Sequence, residues 1–530
     1  MRTRRKLLRA LAAMLVTVPM AVSAAAPAQA VGPALLPVTV TNNTGRGEAV
    51  HLYVIGINLN TNRLGYVTQN GTFHPWPAGQ LPPSPAPDAS IPGAGNGGAT
   101  TIQFPRGFSG RVYFSLGAKL KFFLTPDGLV QPAPWAAGDA NRDILFDWSE
   151  FTYNDAGLWL NSSQVDMFAV PHAVTVTGAN GVTTKTGEPV NNGRNAVING
   201  ITSQPGWANT VHTRSDGTVL RVLAPGKAAG AGLMSATYLD SYIAAAWNAY
   251  TTKTLTVVPF TDQPNTRYFG RTSGTVLHFT NSAGQRVASF NRPSSASVWG
   301  CDGDLPAPND LVVGPISRTL CAALNRGTLG TIDTQPSTNA AQFYQNNPTN
   351  QYAKIIHQNM ADGRAYAFAF DDVGAFESLV HSGDPRSAGL ILTPFDAGGP
   401  NPGPGAAPVV SDWNGKCVDV PSSNFVDRAP LQAWTCNGSG AQKWTPSNGT
   451  WQAGGKCMDV AAGSTANGAA VQLYTCNGSA AQQFVLSGAG DLVNPQANKC
   501  VDIKDWNPAD GARLQLWECA GTANQKWHKG

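Results

Sequence analysis

Residues Asn141–Phe168 read NRDILFDWSEFTYNDAGLWLNSSQVDMF. Phe146 to Thr152 and Leu158 to Phe168 are rich in aromatic, apolar and small polar residues, with a tight turn expected near Asp155. This predicts two adjacent antiparallel strands. If residues of like parity pair across them, Glu150 and Asp166 face one side of the sheet, offset along the strands. Trp148, Phe151, Tyr153 and Trp159 offer flat apolar faces around these acids. Ser149, Thr152, Asn154, Asn161, Ser162, Ser163 and Gln164 offer uncharged donors and acceptors. Sugars have hydroxyl rims and weakly apolar C–H faces, so the mixture suits a glycan. A phosphate site would want Arg, Lys or a Gly-rich turn instead.

Outward from this stretch the chain is turn-rich. Only 13% of its 530 residues are charged, with 57 Gly and 38 Pro, which implies a mainly β protein of several domains. Val38 to Thr41, His51 to Ile55 and Arg111 to Ser115 read as further short strands. His74 to Gly98 is a long Pro/Gly loop, expected to wall a cleft. Helical spacing appears in Ser235 to Thr252, with Ser235 as cap, and in the shorter stretches Ile316 to Leu324 and Asn350 to Met360. The expectation for residues 31–397 is therefore a β part followed, from about residue 230, by a mixed α/β part, with a groove between.

The first 30 residues have the pattern of a signal peptide. Arg2, Arg4, Arg5, Lys6 and Arg9 precede an apolar run, and Ala28-Gln29-Ala30 suits cleavage. Thr3 to Leu8 also approximates a twin-arginine signal, so either export route fits. Removing this segment takes five of 36 basic residues and none of 32 acidic ones, leaving 31 minus 32, or −1. A nucleic-acid partner loses its support. No other apolar run approaches the roughly 18 residues of a membrane span. Eight cysteines in an exported chain imply disulfides. Cys301 and Cys321 lie alone in the large region and are expected to pair. No Cys/His/Asp cluster has metal-ligand spacing, and neither metal nor cofactor is expected.

Residues 398–408 form a Pro/Gly linker without charge or apolar pattern. From Val409 the chain repeats itself three times. Lys416-Cys417-Val418-Asp419-Val420, Lys456-Cys457-Met458-Asp459-Val460 and Lys499-Cys500-Val501-Asp502-Ile503 align. The second cysteines, Cys436, Cys476 and Cys519, each follow 19 residues later, and Gln442, Gln482 and Gln525 stand six beyond them. A unit of about 40 residues cannot bury a core alone, so the three must share one.

Residues 409–530 strongly resemble the ricin B-type β-trefoil, the family-13 carbohydrate-binding module. The resemblance implies disulfides Cys417–Cys436, Cys457–Cys476 and Cys500–Cys519, and places Trp444, Phe484 and Trp527 in the shared core. It also implies three sugar pockets: Asp419, Trp434, Asn437 and Gln442; Asp459, Tyr474, Asn477 and Gln482; and Asp502, Trp517 and Gln525. Ala520 replaces the Asn of the first two copies, so the third pocket is expected to be the weakest.

Glycosidic cleavage commonly needs two carboxyl groups, one protonating the leaving oxygen and one activating water or attacking the sugar. The large region is poor in acids. Asp371, Asp372 and Glu377 form its densest acidic cluster late in the chain, read as a solvated turn positioning the groove wall in preference to a group that binds substrate or assists. Asp143 and Asp147 flank Glu150 and are expected to tune it.

The stretches His74 to Gly79, Asn141 to Phe146, Trp148 to Glu150, Gln164 to Phe168, Thr213 to Thr218 and Phe368 to Gly374 carry a second resemblance. The large region resembles glycoside hydrolase family 64, the β-1,3-glucanases known for releasing laminaripentaose. This implies a barrel-like, in part thaumatin-like β domain beside an α/β domain, with a wide groove between them. It implies inverting hydrolysis with Glu150 as general acid and Asp166 as general base. Thr152, Asn154, Trp159 and Ser163 would line the sugar subsites, Ser163 standing where the family is expected to carry Thr. The expected protein is a secreted, monomeric β-1,3-glucan hydrolase with a trefoil tether. Two rivals stand beside it: a non-catalytic thaumatin-like lectin, and a glycosidase acting on another polysaccharide such as xylan.

Overall fold

The structure, a computed structural model, describes residues 32–190, 192–395, 407–437, 439–447 and 449–530. The expected signal peptide and nearly all of the expected linker lie outside these residues. Chain contacts divide into two units, Met1–Thr393 and Pro394–Gly530.

The first unit is built on an eight-stranded sheet. Its main path runs Leu379–Ser382, Gly157–Ser162, Leu145–Asn154, Phe108–Leu116, Val50–Asn58, Arg63–Val67 and Phe73–Pro75, with Ile91–Pro92 also pairing to Val50–Asn58. A five-stranded sheet runs Thr183–Thr186, His172–Gly178, Pro385–Leu392, Leu35–Asn42 and Ala99–Pro105. Side chains that alternate along each strand meet between the sheets. Phe104 stacks on Phe151 at 3.7 Å, and Phe114 meets the buried His172 ring edge-on at 4.8 Å. The long Pro/Gly loop contains Ile91–Pro92 and the strand pair partner Ser84–Pro85, and its Trp76 packs 4.8 Å from Tyr66.

The expected hairpin forms, with a different register. Leu145–Asn154 pairs with Gly157–Ser162, matching Glu150 to Asn161 and Thr152 to Trp159, so residues of opposite parity face each other. Asp166 is not on that partner strand. It follows Ser163 in a bend before the two-residue strand Met167–Phe168, which joins a separate three-stranded sheet. The turn is tight because Asn154 Oδ1 accepts from Ala156 N at 2.8 Å and Gly157 holds a positive φ of 118°. A Cβ on Gly157 would lie 2.2 Å from the Ser382 carbonyl oxygen, so the edge strand needs a glycine there.

Helices accompany a second five-stranded sheet, Arg286–Asn291, Val276–Thr280, Tyr268–Ser273, Leu255–Val257 and Thr334–Gln335. Val313–Asn325 and Gln351–Gln358 match their expectations, the latter capped by Asn350 Oδ1 accepting from Ala353 N. The helix expected from Ser235 begins at Asp240 instead. Ser295 Oγ accepts from Leu239 N and donates to Asp240 Oδ1, so a residue distant in sequence secures the start. Gly193–Thr202 is an unexpected helix inside the expected β part. Its Gly, Val, Ile and Thr content is unfavourable to helices. Burial of Val197, Ile198 and Ile201 in the core compensates.

The second unit carries the three repeats. Lys416–Asp419, Lys456–Val460 and Lys499–Ile503 pair with Gln432–Thr435, Val471–Thr475 and Ala512–Trp517. Trp444, Phe484 and Trp527 are buried in one shared core, as expected of a trefoil. All four expected disulfides are present, Cys301–Cys321, Cys417–Cys436, Cys457–Cys476 and Cys500–Cys519.

Candidate active site

Strand register sets out the cleft floor as rows across the eight-stranded sheet. One row runs Leu379, Asn161, Glu150, Arg111, Ile55, Tyr66 and His74. The neighbouring row runs His381, Trp159, Thr152, Ser109, Ile57 and Leu64. Paired residues project to one face. Glu150, Thr152, Trp159, Asn161 and, by alternation, Asn154 therefore share a face, while Phe151 and Tyr153 point into the sandwich. Thr152 Oγ1 lies 2.7 Å from Ser109 Oγ. Trp159 stacks on His381 at 4.3 Å and 22°. Asn154 caps the turn. Ser163 pairs with Tyr366 in an isolated bridge, and its buried Oγ has no partner among the described residues.

Arg111 joins the two candidate acids. Its Nη2 lies 3.0 Å from Glu150 Oε1 and 3.6 Å from Asp166 Oδ2. Those two carboxyl oxygens are thus at most 3.0 plus 3.6, or 6.6 Å, apart. Lys227, on the helix Pro225–Gly230, donates to Asp166 Oδ1 at 3.0 Å. Both carboxyls are mostly shielded, with 19% and 14% of their side-chain surface exposed. The guanidinium is itself fixed: it lies 4.5 Å over the Trp148 ring and donates to Gln131 Oε1 at 3.1 Å. Lys227 sits 4.4 Å over Trp135. The pairing of the acids survives the change of register because the chain bends after Ser163 and returns Asp166 to the Arg111 side.

Arg111 and Lys227 were not among the expected site residues. An arginine in the strand Arg111 to Ser115, on the same face as Tyr113 and Ser115, was the legible signal for the first. Lys227 lies in a Gly/Ala-rich helix that gives none.

Neither acid expected to tune Glu150 touches it. Asp143 is exposed and pairs with His212 at 3.0 Å. Asp147 has the opposite parity, so it projects to the other face. There it accepts from the backbone N–H groups of Trp148, Ala169 and Val170, and burial pushes its carboxyl up to about 7. The expected solvated turn at Asp371 is not solvated either. Asp371 is fully buried, with Arg326 Nη2 and His357 Nε2 each 2.9 Å away. Burial raises Asp372 and pushes Glu377 up to about 7. The Tyr366 hydroxyl, raised by burial, also feels Asp372, Glu150 and Glu377, so this cluster borders the cleft.

In the trefoil each repeat aspartate is held by amides. Asp419 Oδ1 accepts from Gln432 and Oδ2 from Gln442; Asp459 does the same with Gln472 and Gln482, and Asp502 with Gln515 and Gln525. The closing glutamines are buried, and their Oε1 atoms accept from the backbone of Asn437, Asn477 and Ala520. They tie the pocket together from beneath. Asn437 and Asn477 use their Oδ1 atoms to fix the turns at Ser439 and Ser479. The third copy instead brings Asn524 to Asp502 at 2.7 Å, where the other copies have Ala441 and Ala481. Ala520 has no side-chain amide to offer where Asn437 and Asn477 stand in the other copies. Trp434 and Trp517 are exposed, Tyr474 half-buried.

The family profile of glycoside hydrolase family 64, described as β-1,3-glucanase, matches residues 34–392. That of the ricin-type β-trefoil lectin domain matches residues 406–527. Two curated proteins, each a glucan endo-1,3-beta-glucosidase, one from an Arthrobacter strain and one from Cellulosimicrobium cellulans, are 46% identical over 440 residues, covering 80% of this chain and 79% of each relative. A crystal structure of a laminaripentaose-producing β-1,3-glucanase in complex with laminaritetraose is 55% identical, with a TM-score of 0.67, covering 69% of this chain and 100% of that one. A β-1,3-glucanase domain from Clostridium beijerinckii aligns with a TM-score of 0.57 at 25% identity, over 68% of this chain and 98% of that one. The chain belongs to glycoside hydrolase family 64, the β-1,3-glucanases, and carries a ricin-type β-trefoil lectin domain.

Proposed function

We propose that this protein is an exported, monomeric endo-β-1,3-glucanase that hydrolyses β-1,3-glucan with inversion and releases short oligosaccharides, laminaripentaose among them. The observation that carries this reading is the single Arg111 guanidinium contacting both Glu150 and Asp166 on the cleft face. Asp166 has two cationic neighbours and Glu150 has one. That asymmetry suits Asp166 as the base drawing a proton from water, and Glu150 as the acid donating one to the leaving oxygen. Trp159 offers a stacking face, and Thr152, Asn154 and Ser163 offer hydrogen bonds to neighbouring sugar units. Residues 1–30 act as the signal peptide, and residues 398–408 link the catalytic domain to the trefoil. Four disulfides are consistent with export.

The trefoil keeps the enzyme at a polysaccharide surface and raises the local concentration of chain ends and bends to be cut. Its three aspartates accept sugar hydroxyls beside Trp434, Tyr474 and Trp517, and the third pocket, with Ala520 in place of Asn, is the weakest. Curdlan incubated with the protein, with proton NMR of the first product, tests the reading. Soluble β-1,3 oligosaccharides released initially as the α-anomer are expected. No product from curdlan or laminarin, with product from xylan or cellulose, would overturn it.

A further inference from the structure

Beyond Trp159 the cleft face does not end in a wall. The outermost strand of the eight-stranded sheet, Leu379–Ser382, borders a cavity of about 270 Å³ lined by His381, Leu379, Thr184, Lys185, Asp362 and Arg364. Its far side is the edge strand Thr183–Thr186 of the other sheet. This volume is below the roughly 300–1,000 Å³ of sites for drug-sized ligands and suits a single sugar unit.

We propose that this cavity is a further subsite, holding one glucosyl unit of the polysaccharide whose linkage is cut at Glu150 and Asp166; it rests on the β-1,3-glucanase reading. Continuity is the first argument. His381 lies in the row of Trp159 and Thr152, two strands from Thr152, or about 10 Å at ordinary strand spacing. Its ring stacks face to face on Trp159, so the aromatic row continues one strand further. The chemistry of the lining is the second. His381 Nδ1 lies 2.9 Å from the Leu158 carbonyl, to which it must donate, which leaves Nε2 as the ring nitrogen for a ligand hydroxyl. The Arg364 guanidinium is exposed, with no hydrogen-bond or ion-pair partner among the described residues. Lys185 is paired with Glu188 at 2.7 Å. Asp362 places a carboxylate in the same cavity, fixed by Thr186 Oγ1 at 2.6 Å and Arg364 N at 3.0 Å. A carboxylate beside these cations disfavours an anionic ligand, whereas donors and acceptors of both kinds match the hydroxyls of a neutral sugar.

The glucosyl unit has two possible sources, continuation of the linear chain or a 1,6-linked branch. Arg364→Ala and His381→Ala, both at exposed side chains, separate them when kcat/KM is measured on linear laminari-oligosaccharides of rising length and on β-1,6-branched β-1,3-glucan. Each variant is expected to lower the ratio of long-chain to short-chain kcat/KM about tenfold, the loss of one charge-assisted hydrogen bond or stacking face. A loss on the linear series assigns the cavity to the main chain, and a loss confined to branched glucan assigns it to the branch. Wild-type ratios from both folded variants on both substrates overturn the subsite. A wild-type enzyme inactive on every member would remove the β-1,3-glucanase reading, and the subsite with it.

Discussion

In the first unit Asp166 is held by Lys227 and Arg111, and Glu150 by Arg111 alone. In the trefoil Asp419, Asp459 and Asp502 are held by the neutral amides of six glutamines. The two regions share β architecture and a proposed sugar ligand, yet they treat carboxylates differently. Cations stabilise charge and pre-arrange a pair of acids for proton transfer. Amides fix the direction of an oxygen without compensating its charge, and burial raises Asp419 and Asp502 above the ordinary range. Such an oxygen serves as a fixed acceptor for a hydroxyl. The comparison teaches that the partner of an acid, more than the acid itself, separates the proposed reacting site from the proposed holding site.

The largest test of that difference is catalytic. Glu150→Gln and Asp166→Asn are expected to lower kcat on laminarin by roughly 10²–10⁴-fold or more, with Tm preserved. A folded Glu150→Gln variant of normal activity would falsify the acid assignment. Asp419→Asn should leave laminarin turnover at the wild-type rate.

Stability gives the next contrast. Arg111→Met leaves the shielded Glu150 without its cation and Asp166 with Lys227 alone, and calorimetry should show the first unit destabilised by about 3–5 kcal/mol. Gln442→Leu leaves Asp419 one amide and should cost the trefoil about 1–3 kcal/mol. Equal losses would erase the distinction between cation-held and amide-held acids.

A pH dependence sharpens it further. Burial raises the folded-state pKa of Glu377 to about 7, above its unfolded value, so the folded form binds the proton more tightly. Its contribution is fully present below the unfolded pKa and is lost as pH rises towards 7. Glu377→Gln should flatten that decline by something on the order of 1–3 kcal/mol. A parallel decline in wild type and variant, followed by thermal unfolding from pH 4 to 8, would show that Glu377 is not its source.

The smallest effects concern tethering. Asp419→Ala should weaken pull-down on insoluble β-1,3-glucan about tenfold, and more than Asp502→Ala does, as expected for losing a charge-assisted hydrogen bond. Truncation at Gly399 should preserve laminarin cleavage while reducing action on particles. Equal action of the full and truncated forms on particles would count against a tether.

The three-copy ruler of cysteines, aspartates and glutamines was legible because a repeat writes its spacing thrice. The single-copy cleft was only half legible. Glu150 stood out among aromatic and hydroxyl side chains, and Asp166 was read as its companion by a register the strands do not adopt; it is the Arg111 contact that brings the two together. Asn437 and Asn477 were legible as recurring residues, but not as turn caps, since side-chain direction depends on φ and ψ. Asn524 went unread because the residue before the closing glutamine differs between copies.

Local sequence thus determined the β character and the repeat, and singled out Glu150 and Asp166 as a candidate pair. These follow from alternation, turn residues and spacing, which act over a few residues. Tertiary structure alone decided that Arg111 bridges Glu150 and Asp166, that Lys227 completes the pair, and that Asp371 is buried rather than solvated. Those contacts join residues from 14 apart (371 minus 357) to 61 apart (227 minus 166) in the chain. Nothing in a single strand specifies which distant side chain will be its neighbour until two sheets and a helix have packed.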